Sequence, residues 1–322
     1  MKAPALFGLA ASVLALSATG APGADWPSKP VRIVVPFAAG GAADVISRLV
    51  ADSLGTAFGQ QFVVENRPGG GGIVAAQYVA RSEADGYTLM QVGMSSHVVS
   101  PAMSKNPGFD PVRDFTHIAF IGGSPTVILV HPSLGVRSFK DFLALAKARP
   151  GGIEYVSAGT GTSGHMVAEL IAMKENIRVL HVPYKAGSGA IVDLLAGRVK
   201  VGSLTWTTAR EHIAVGSLIP IAVSSAKRLA AAPDLPKLNE LGYPDIISTT
   251  WHALAGPVGL PKEIVDRVNR ETNRMLDRPD VRRTFEGDGI EIKAMTPAEL
   301  TRFVQSQVSQ WAPVIKATIK AE

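Results

Sequence analysis

Residues 31–44 read VRIVVPFAAGGAAD, and residues 153–165 read IEYVSAGTGTSGH. In both stretches a run of β-branched and apolar residues leads into a glycine-rich segment, and apolar residues at helical spacing follow. Each stretch therefore predicts a strand, a tight loop and the start of a helix. This repeated unit indicates the fold class, because strands that alternate with helices form sheets with parallel strands.

The rest of the chain continues the same alternation. We expect helices at Ala42–Phe58, Ile73–Arg81, His165–Lys174 and Ala190–Ala196, and a strand at Ile219–Val223. Two separate strands are expected at Ile118–Ile121 and Val127–Val130, divided by Gly122-Gly123-Ser124-Pro125. Ser138 and Thr296 are typical helix N-caps. The order predicts α/β domains with mostly parallel sheets.

Both glycine-rich loops are suited to holding an anion. Glycine lets backbone N–H groups approach a ligand closely, and a helix N-terminus adds positive potential. Neither loop contains Lys or Arg. Any bound anion would therefore depend on backbone and hydroxyl donors. In open α/β sheets ligands lie at the carboxyl ends of strands, so the two loops predict two facing half-sites.

Composition and motifs exclude several other classes of function. The 322 residues contain no Cys, and Lys+Arg 32 against Asp+Glu 27 gives only +5 with no basic block to indicate nucleic acid. Residues 159–164 match G-x-G-x-x-G, but the next strand ends without the acidic residue that a dinucleotide site needs. The histidines show no metal spacing. We expect no cofactor, no metal and no catalytic residue.

The first 24 residues predict a secretory signal peptide. Lys2 precedes an apolar run over Leu6–Ala18, and small residues follow, with cleavage expected near residues 20–24. The run is too short for a membrane-spanning helix, which needs about 20 residues. We expect an exported, periplasmic protein that is not embedded in the membrane.

Further motifs resemble one protein family. Residues 26–37 (WPSKPVRIVVPF), Gly40-Gly41 with Asp44, and residues 64–69 (VENRPG) resemble the Bug (TctC-like) extracytoplasmic solute-binding proteins of tripartite tricarboxylate transport systems. The resemblance continues through residues 84–89 (ADGYTL), the second loop with His165, residues 181–185 (HVPYK) and residues 193–197 (DLLAG). It covers nearly the whole mature chain in order.

The resemblance implies a two-lobed periplasmic binding protein fold of type II-like form, with two Rossmann-like domains joined by two crossover strands. The expected lobes are residues 25–123 with 250–322, and residues 124–249, with crossings near 122–125 and 249–253. The expected ligand-binding residues come from both loops, from the polar segment 95–97 and from the segment after the strand at Val199–Leu204: Phe37, Ala39, Gly40, Gly41, Asp44, Ser95, Ser96, His97, Gly159, Thr160, Gly161, Thr162, His165, Thr205 and Trp206.

Several assignments stay open from sequence. Asp44 can stabilise its own helix or contact the ligand, and Trp206 and Trp251 can serve as core or as platforms for an aromatic solute. His252 departs from the family pattern at a position that the resemblance places against the ligand. The solute could be a dicarboxylate, a tricarboxylate, an amino acid or an aromatic acid.

The expected function is capture of a small carboxylated solute by closure of the two lobes, with delivery to membrane transporter subunits. A monomer suffices for this. Two alternatives remain: an exported hydrolase or oxidoreductase acting on a carboxylate in the same cleft, for which Ser and His residues such as Ser95, Ser157, Ser163, His97 and His165 lie near strand ends, or a binding protein that feeds a sensor.

Overall fold

The computed structural model describes residues 26–246, 248–287 and 289–318. The predicted signal peptide, residues 1–24, lies outside this part of the chain. The strands are β1 (Val31–Val35), β2 (Phe62–Asn66), β3 (Thr88–Gly93), β4 (Phe115–Val130), β5 (Ile153–Ser157), β6 (Val179–Pro183), β7 (Val201–Thr205), β8 (Ile219–Val223) and β9 (Thr249–Pro257).

Helices alternate with these strands. They are α1 (Ala42–Phe58), α2 (Ile73–Ala80), α3 (Ser100–Met103), α4 (Phe139–Lys147), α5 (Ser163–Glu175), α6 (Gly187–Leu195), α7 (Trp206–Ala214), α8 (Lys262–Asp277), α9 (Pro279–Gly287) and α10 (Pro297–Thr318). In the residues described, no helix is both long and apolar enough to cross a bilayer.

The sheet is mixed, which corrects the expectation of mostly parallel strands. Its order is β2-β1-β3-β9-β4-β7-β5-β6, with β8 also paired to β4. The pairs β1–β2, β1–β3, β5–β6 and β5–β7 are parallel. Every described pair that contains β4 or β9 is antiparallel. We call β1, β2, β3 and β9 the first half-sheet, and β5, β6, β7 and β8 the second.

Strand β4 joins the two half-sheets. Its residues from Phe115 to Pro125 pair with β9, and those from Thr126 to Val130 pair with β7. The prediction of two strands split at Gly122–Pro125 was therefore wrong, since these residues continue one 16-residue strand. Glycine interrupts a β pattern in sequence, but here it serves a close approach: a Cβ on Gly122 would lie 2.6 Å from Ile290 Cγ2.

Three apolar clusters cover the faces of the sheet. Val31 and Ile33 pack with α1 and α8 on one face of the first half-sheet, and Val34 packs with α2 and α10 on the other. A third cluster joins α6 and α7 to the second half-sheet. The alternation follows from the two-residue period of strands, and it produces helices on both faces of the sheet.

Helix α10 begins with a capping box. Thr296 Oγ1 accepts a hydrogen bond from the Glu299 N–H at 3.3 Å, and Glu299 Oε2 accepts one from the Thr296 N–H at 2.8 Å. This confirms the predicted helix start. The start of α10 matters for the core because Leu300, Val304 and Trp311 of this helix are buried in an apolar cluster that includes residues of both half-sheets.

We predict that Thr296→Ala lowers the free energy of unfolding by about 1 kcal/mol, because the first turn of α10 loses an N-cap acceptor. Urea unfolding monitored by circular dichroism measures this. Ser306→Ala, on an exposed turn of the same helix, is the control and should change the midpoint much less. Equal effects of the two substitutions would contradict the assignment.

Candidate functional site

The first loop, residues 36–41, leads from β1 into α1. Gly40 has a φ of +83°, and Gly41 is the N-cap of α1 without any side-chain cap. The first amides of α1 therefore have no partner within the helix, as at any helix start. Gly41, Ala42 and Ala43 lie at this helix start and have no bulky side chain that could cover these donors.

Asp44 supports this loop from beneath. Its carboxylate accepts hydrogen bonds from the Gly40 N–H at 3.0 Å, from Arg48 Nε at 3.0 Å and from Asn66 Nδ2 at 2.9 Å. Burial disfavours its ionised form, but the bonds from Arg48, Gly40 and Asn66 outweigh burial and lower the pKa of Asp44. The structure thus gives Asp44 a full set of protein partners.

The second loop, residues 158–162, has a matching construction ahead of α5. Thr162 is the N-cap: its hydroxyl donates to the Gly159 carbonyl at 2.8 Å and accepts from the His165 N–H at 3.4 Å. His165 Nδ1 accepts from the Gly161 N–H at 3.1 Å. Gly159 has a φ of +134°, and a Cβ there would lie 2.7 Å from the Tyr184 carbonyl oxygen, so only glycine fits.

The two loops meet at an inner cavity of about 60 Å³. A Cβ added to Gly41 would lie 3.4 Å from Ala186 Cβ, which shows how closely the first loop approaches the N-terminus of α6. The lining contains no Asp, Glu, Lys or Arg. Its residues are Phe37, Gly41, Ala42, Ala43, Ala158, Thr162, Gly164, Ala186, Gly187, Ser203, Leu204, Thr205, Thr208, Thr250 and His252.

An outer cavity of about 730 Å³ opens beside the inner one, and both include Phe37 and Ala158. Its lining includes Gly69–Gly71, Gly159, Thr160, Tyr184 and Lys185. The segment Gly69–Gly71 packs closely against its surroundings, since a Cβ on Gly71 would lie 2.1 Å from Ser100 Oγ. Lys185 is the charged residue of this lining.

The structure brings most of the predicted residues to the two loops. Phe37, Gly41, Thr162 and Thr205 line the inner cavity, and Gly159 and Thr160 line the outer one. Ala39, Gly40 and Gly161 belong to the loop backbones, while Asp44 and His165 brace those loops. Their role as ligand contacts stays a prediction.

Other predicted residues lie behind the cavities. Ser95 Oγ donates to the Gly71 carbonyl at 2.8 Å, and Ser96 Oγ accepts from the Gly93 N–H at 3.2 Å, so both hydroxyls shape the turn that follows β3. The His97 ring packs on Phe115 at 4.6 Å between centroids, and burial lowers its pKa well below the usual value. Neither cavity includes these three residues.

The two tryptophans are core residues in this structure. Trp206 is buried in the cluster of α6 and α7, and Trp251 packs on Phe303 at 5.4 Å between ring centroids. Neither lines a cavity, so the structure does not place an aromatic platform where the sequence allowed one. Of the two roles that the sequence allowed for these tryptophans, the structure favours the core.

Sequence reasoning missed the third helix that points at the inner cavity. We expected this helix to begin at Ala190, but α6 begins at Gly187, and Ala186 and Gly187 line the cavity. A signal was present, because residues 179–189 again read strand, glycine-rich loop and helix. Thr208 and Thr250 were also missed; single threonines carry no such pattern.

The histidines beneath the second loop form a stack. The rings of His165 and His181 lie 4.1 Å apart at 13°, and Ser157 Oγ lies 2.7 Å from His181 Nε2. Burial lowers the pKa of His165 to about 4, and burial together with repulsion from His165 lowers that of His181 to about 3. Both rings are therefore neutral at pH 7. Among the described residues, no group of three or more His, Asp or Glu side chains could hold a metal.

Comparison with known proteins decides the family. The model of the tripartite tricarboxylate transporter family receptor matches residues 46–319. The chain belongs to this family. The protein BugT of Bordetella pertussis is 32% identical over 295 residues, which are 91% of this chain and 90% of BugT.

Solved members of the family share the fold. The periplasmic binding protein BugD is 31% identical, with a TM-score of 0.85, over 91% of this chain and 98% of BugD. A protein of R. palustris solved with adipate is 32% identical, with a TM-score of 0.87, over 91% and 98%. MatC of Rhodopseudomonas palustris, solved with bound malate, is 27% identical, with a TM-score of 0.85, over 90% and 100%. The predicted periplasmic binding protein fold is confirmed, while the lobe boundaries stay a prediction.

The histidine stack predicts loss of stability in acid. A histidine with a lowered folded pKa contributes its full stability above about pH 6.5, and this contribution falls as the pH drops toward the folded value. For His165 the loss between about pH 6.5 and pH 4 amounts to about 3 kcal/mol.

Urea unfolding at about pH 7 and about pH 4.5 tests this. We expect His165→Gln to lose less stability in acid than the unchanged protein, since one buried group that resists protonation is gone. His212→Gln, on α7, is the control and should follow the unchanged protein. Equal acid sensitivity of the two variants would contradict the stack's role.

Proposed function

We propose that this protein is a receptor that captures a small carboxylated solute in the inner cavity. One observation carries the proposal: the N-termini of α1, α5 and α6 converge on a cavity whose lining has no charged side chain. Donors on a wall without a charged side chain suit a ligand that brings its own negative charge. A neutral solute would leave the positive potential at the starts of α5 and α6, which have no acidic residue in their first turns, without a partner.

The energetics of such a site are sufficient for tight binding. A hydrogen bond from a backbone amide to a buried charged acceptor contributes about 1.5–3 kcal/mol. Several such bonds, after the cost of desolvation and ordering, reach micromolar affinity or better. Exclusion of water between the loops strengthens each bond, because the effective dielectric constant falls.

The solutes of the relatives support the same chemistry. Adipate and malate, present in two solved family members, are both dicarboxylates but differ in length and in substitution. Anion capture by backbone loops accommodates both, because the backbone N–H groups bind the carboxylate and do not depend on the rest of the solute. The glycine-rich loops of this chain, at the ends of β1 and β5, fit that mode.

We infer binding rather than catalysis at this site. The Ser157–His181 pair is the arrangement nearest to a nucleophile and base, but the Ser157 hydroxyl also donates to the Gly159 carbonyl at 3.1 Å and is fully buried. It therefore holds the second loop. A turnover assay on any captured acid checks this inference.

Family membership supports the remaining steps of the proposal. The protein is exported through an N-terminal signal peptide, closes around its solute as a monomer, and presents the closed form to membrane subunits of a tripartite transporter. Lobe boundaries at residues 123–124 and 249–250 would place the hinge where β4 and β9 cross. A receptor that serves a sensor would use the same binding step.

Thermal unfolding with acids and their amides tests the function. At about 100 times its dissociation constant a ligand stabilises by about 2.7 kcal/mol, which raises the melting temperature by several degrees. We expect malate or adipate to give such a shift and the matching diamides to give none. Equal shifts with acids and amides would contradict anion capture.

A Gly41→Leu substitution locates the site. The φ of Gly41 is −87°, so a larger residue fits the backbone, but its side chain would enter the inner cavity beside Ala186. We expect a folded protein whose affinity for the acid falls at least about tenfold, which is about 1.4 kcal/mol. Gly151→Leu, where an added Cβ meets nothing within 4 Å, is the matched control. Undiminished binding by a folded Gly41→Leu protein would place the solute elsewhere.

A further inference from the structure

His252 forms part of the wall of the inner cavity. Strand β9 places it at the crossing of the two half-sheets, where it pairs with Gly93 of β3 and Gly122 of β4. Its side chain is 2% exposed. It is the titratable side chain of the cavity lining, so its protonation state determines whether this wall presents a hydrogen-bond donor or an acceptor to a solute.

A neighbour determines which ring nitrogen carries the hydrogen. Gln91 Nε2 lies 3.0 Å from His252 Nδ1 and also donates to the Val92 carbonyl at 2.8 Å. An amide nitrogen has two hydrogens to donate and accepts nothing, so Nδ1 must be the acceptor. Reversing the amide would place its oxygen against the Val92 carbonyl, two acceptors in contact. Gln91 therefore selects the tautomer with hydrogen on Nε2.

The Nε2–H of His252 is then a hydrogen-bond donor without an acceptor. It is buried, and no described residue provides it with a hydrogen-bond partner. A buried donor without a partner destabilises a protein, and a ligand that provides an acceptor removes this cost. Burial also lowers the pKa of His252 to about 4, so the ring donates without a positive charge at pH 7.

The same wall has no carboxylate that could balance the charge of a cation. The lining contains no carboxylate, and Asp44, beneath the first loop, is already bonded to Gly40, Arg48 and Asn66. The N-termini of α5 and α6, which have no acidic residue in their first turns, add positive potential. A solute that placed an ammonium group in this cavity would meet hydroxyl oxygens but no carboxylate to balance its charge.

The size of the cavity limits the body of the solute. A water molecule needs about 10–15 Å³ by the same measure, so about 60 Å³ corresponds to roughly four to six waters. This is the space of a short acid of three or four carbons. A long chain or an aromatic ring would have to extend into the outer cavity.

We propose that His252 determines solute specificity by donating from Nε2 to a second oxygen of a three- or four-carbon acid, so that hydroxy, oxo or dicarboxylic acids bind and their amino counterparts are rejected. Gln91 acts as the positioning residue that maintains the donor tautomer. The proposal rests on the proposed function and adds to it the class of solute.

The first test examines the ring in the protein without added solute. Long-range ¹H–¹⁵N NMR correlations of the histidine rings report which nitrogen is protonated. We expect the Nε2–H form for His252, and a mixture of tautomers in Gln91→Leu, which a purely structural role of Gln91 would not produce. An Nδ1–H ring in the unchanged protein would overturn the proposal and leave anion capture intact.

The second test compares matched acids by calorimetry: lactate with alanine, and malate with aspartate. Each pair has the same length and differs in a hydroxyl against an ammonium group. We expect the hydroxy acid of at least one pair to bind at least about tenfold more tightly than its amino counterpart. Equal binding within both pairs would overturn the proposal.

Two variants assign the selectivity to His252. His252→Leu removes the donor, and we expect it to weaken binding of the preferred hydroxy acid at least about tenfold. His252→Gln keeps an N–H donor and should recover most of that loss, with circular dichroism confirming that both variants fold. Undiminished binding by a folded Leu variant would overturn the proposal. Binding of none of the four acids would also overturn it, while a shift with adipate but not its diamide would show that anion capture still holds.

Discussion

The antiparallel pairing of β4 with β9 is the constraint on which the rest of the molecule depends. One strand, β4, pairs with β9 in its first part and with β7 and β8 in its last five residues, so both half-sheets share a backbone. The pairing is close enough to favour glycine: a Cβ on Gly123 of β4 would lie 2.9 Å from Thr249 Oγ1 of β9. Side chains at this crossing are held with little freedom to move.

The cavity is a consequence of that crossing. Parallel strands β1 and β5 lie on opposite sides of it, and the loops at their carboxyl ends face each other across β9. Thr250 and His252 of β9 lie between them, and the Thr250 hydroxyl hydrogen-bonds to Ser163 at the first turn of α5. Strand β9, the partner of the linking strand β4, thus also provides polar groups to the site.

Local sequence signals predicted the local structure well. The bounds of α1 and β8, the Ser138 cap and the Thr296 capping box all follow from interactions within a few residues of each other. Both glycine-rich loops between strand and helix were predicted for the same reason. The individual contacts of their residues with a solute stay predictions, because they depend on how the solute lies.

Features that depend on distant partners were not predictable in this way. The continuity of β4 through Gly122 and Gly123 depends on β9, which lies more than a hundred residues later in the chain. The burial of Trp206 and His97 depends on helices and strands that surround them from several directions. Gly187 was placed outside its helix because glycine lowers helix propensity, although a helix start tolerates it.

The convergence of helix starts and His252 makes the solute a structural component of the closed state. Closing the cavity without a solute buries several backbone N–H groups and an imidazole N–H, each without a partner, at about 1–3 kcal/mol apiece. Water in the open state satisfies the same groups. In the proposed function the unloaded receptor therefore rests open. Its closed shape would show a membrane partner that solute is bound, without contact between that partner and the solute.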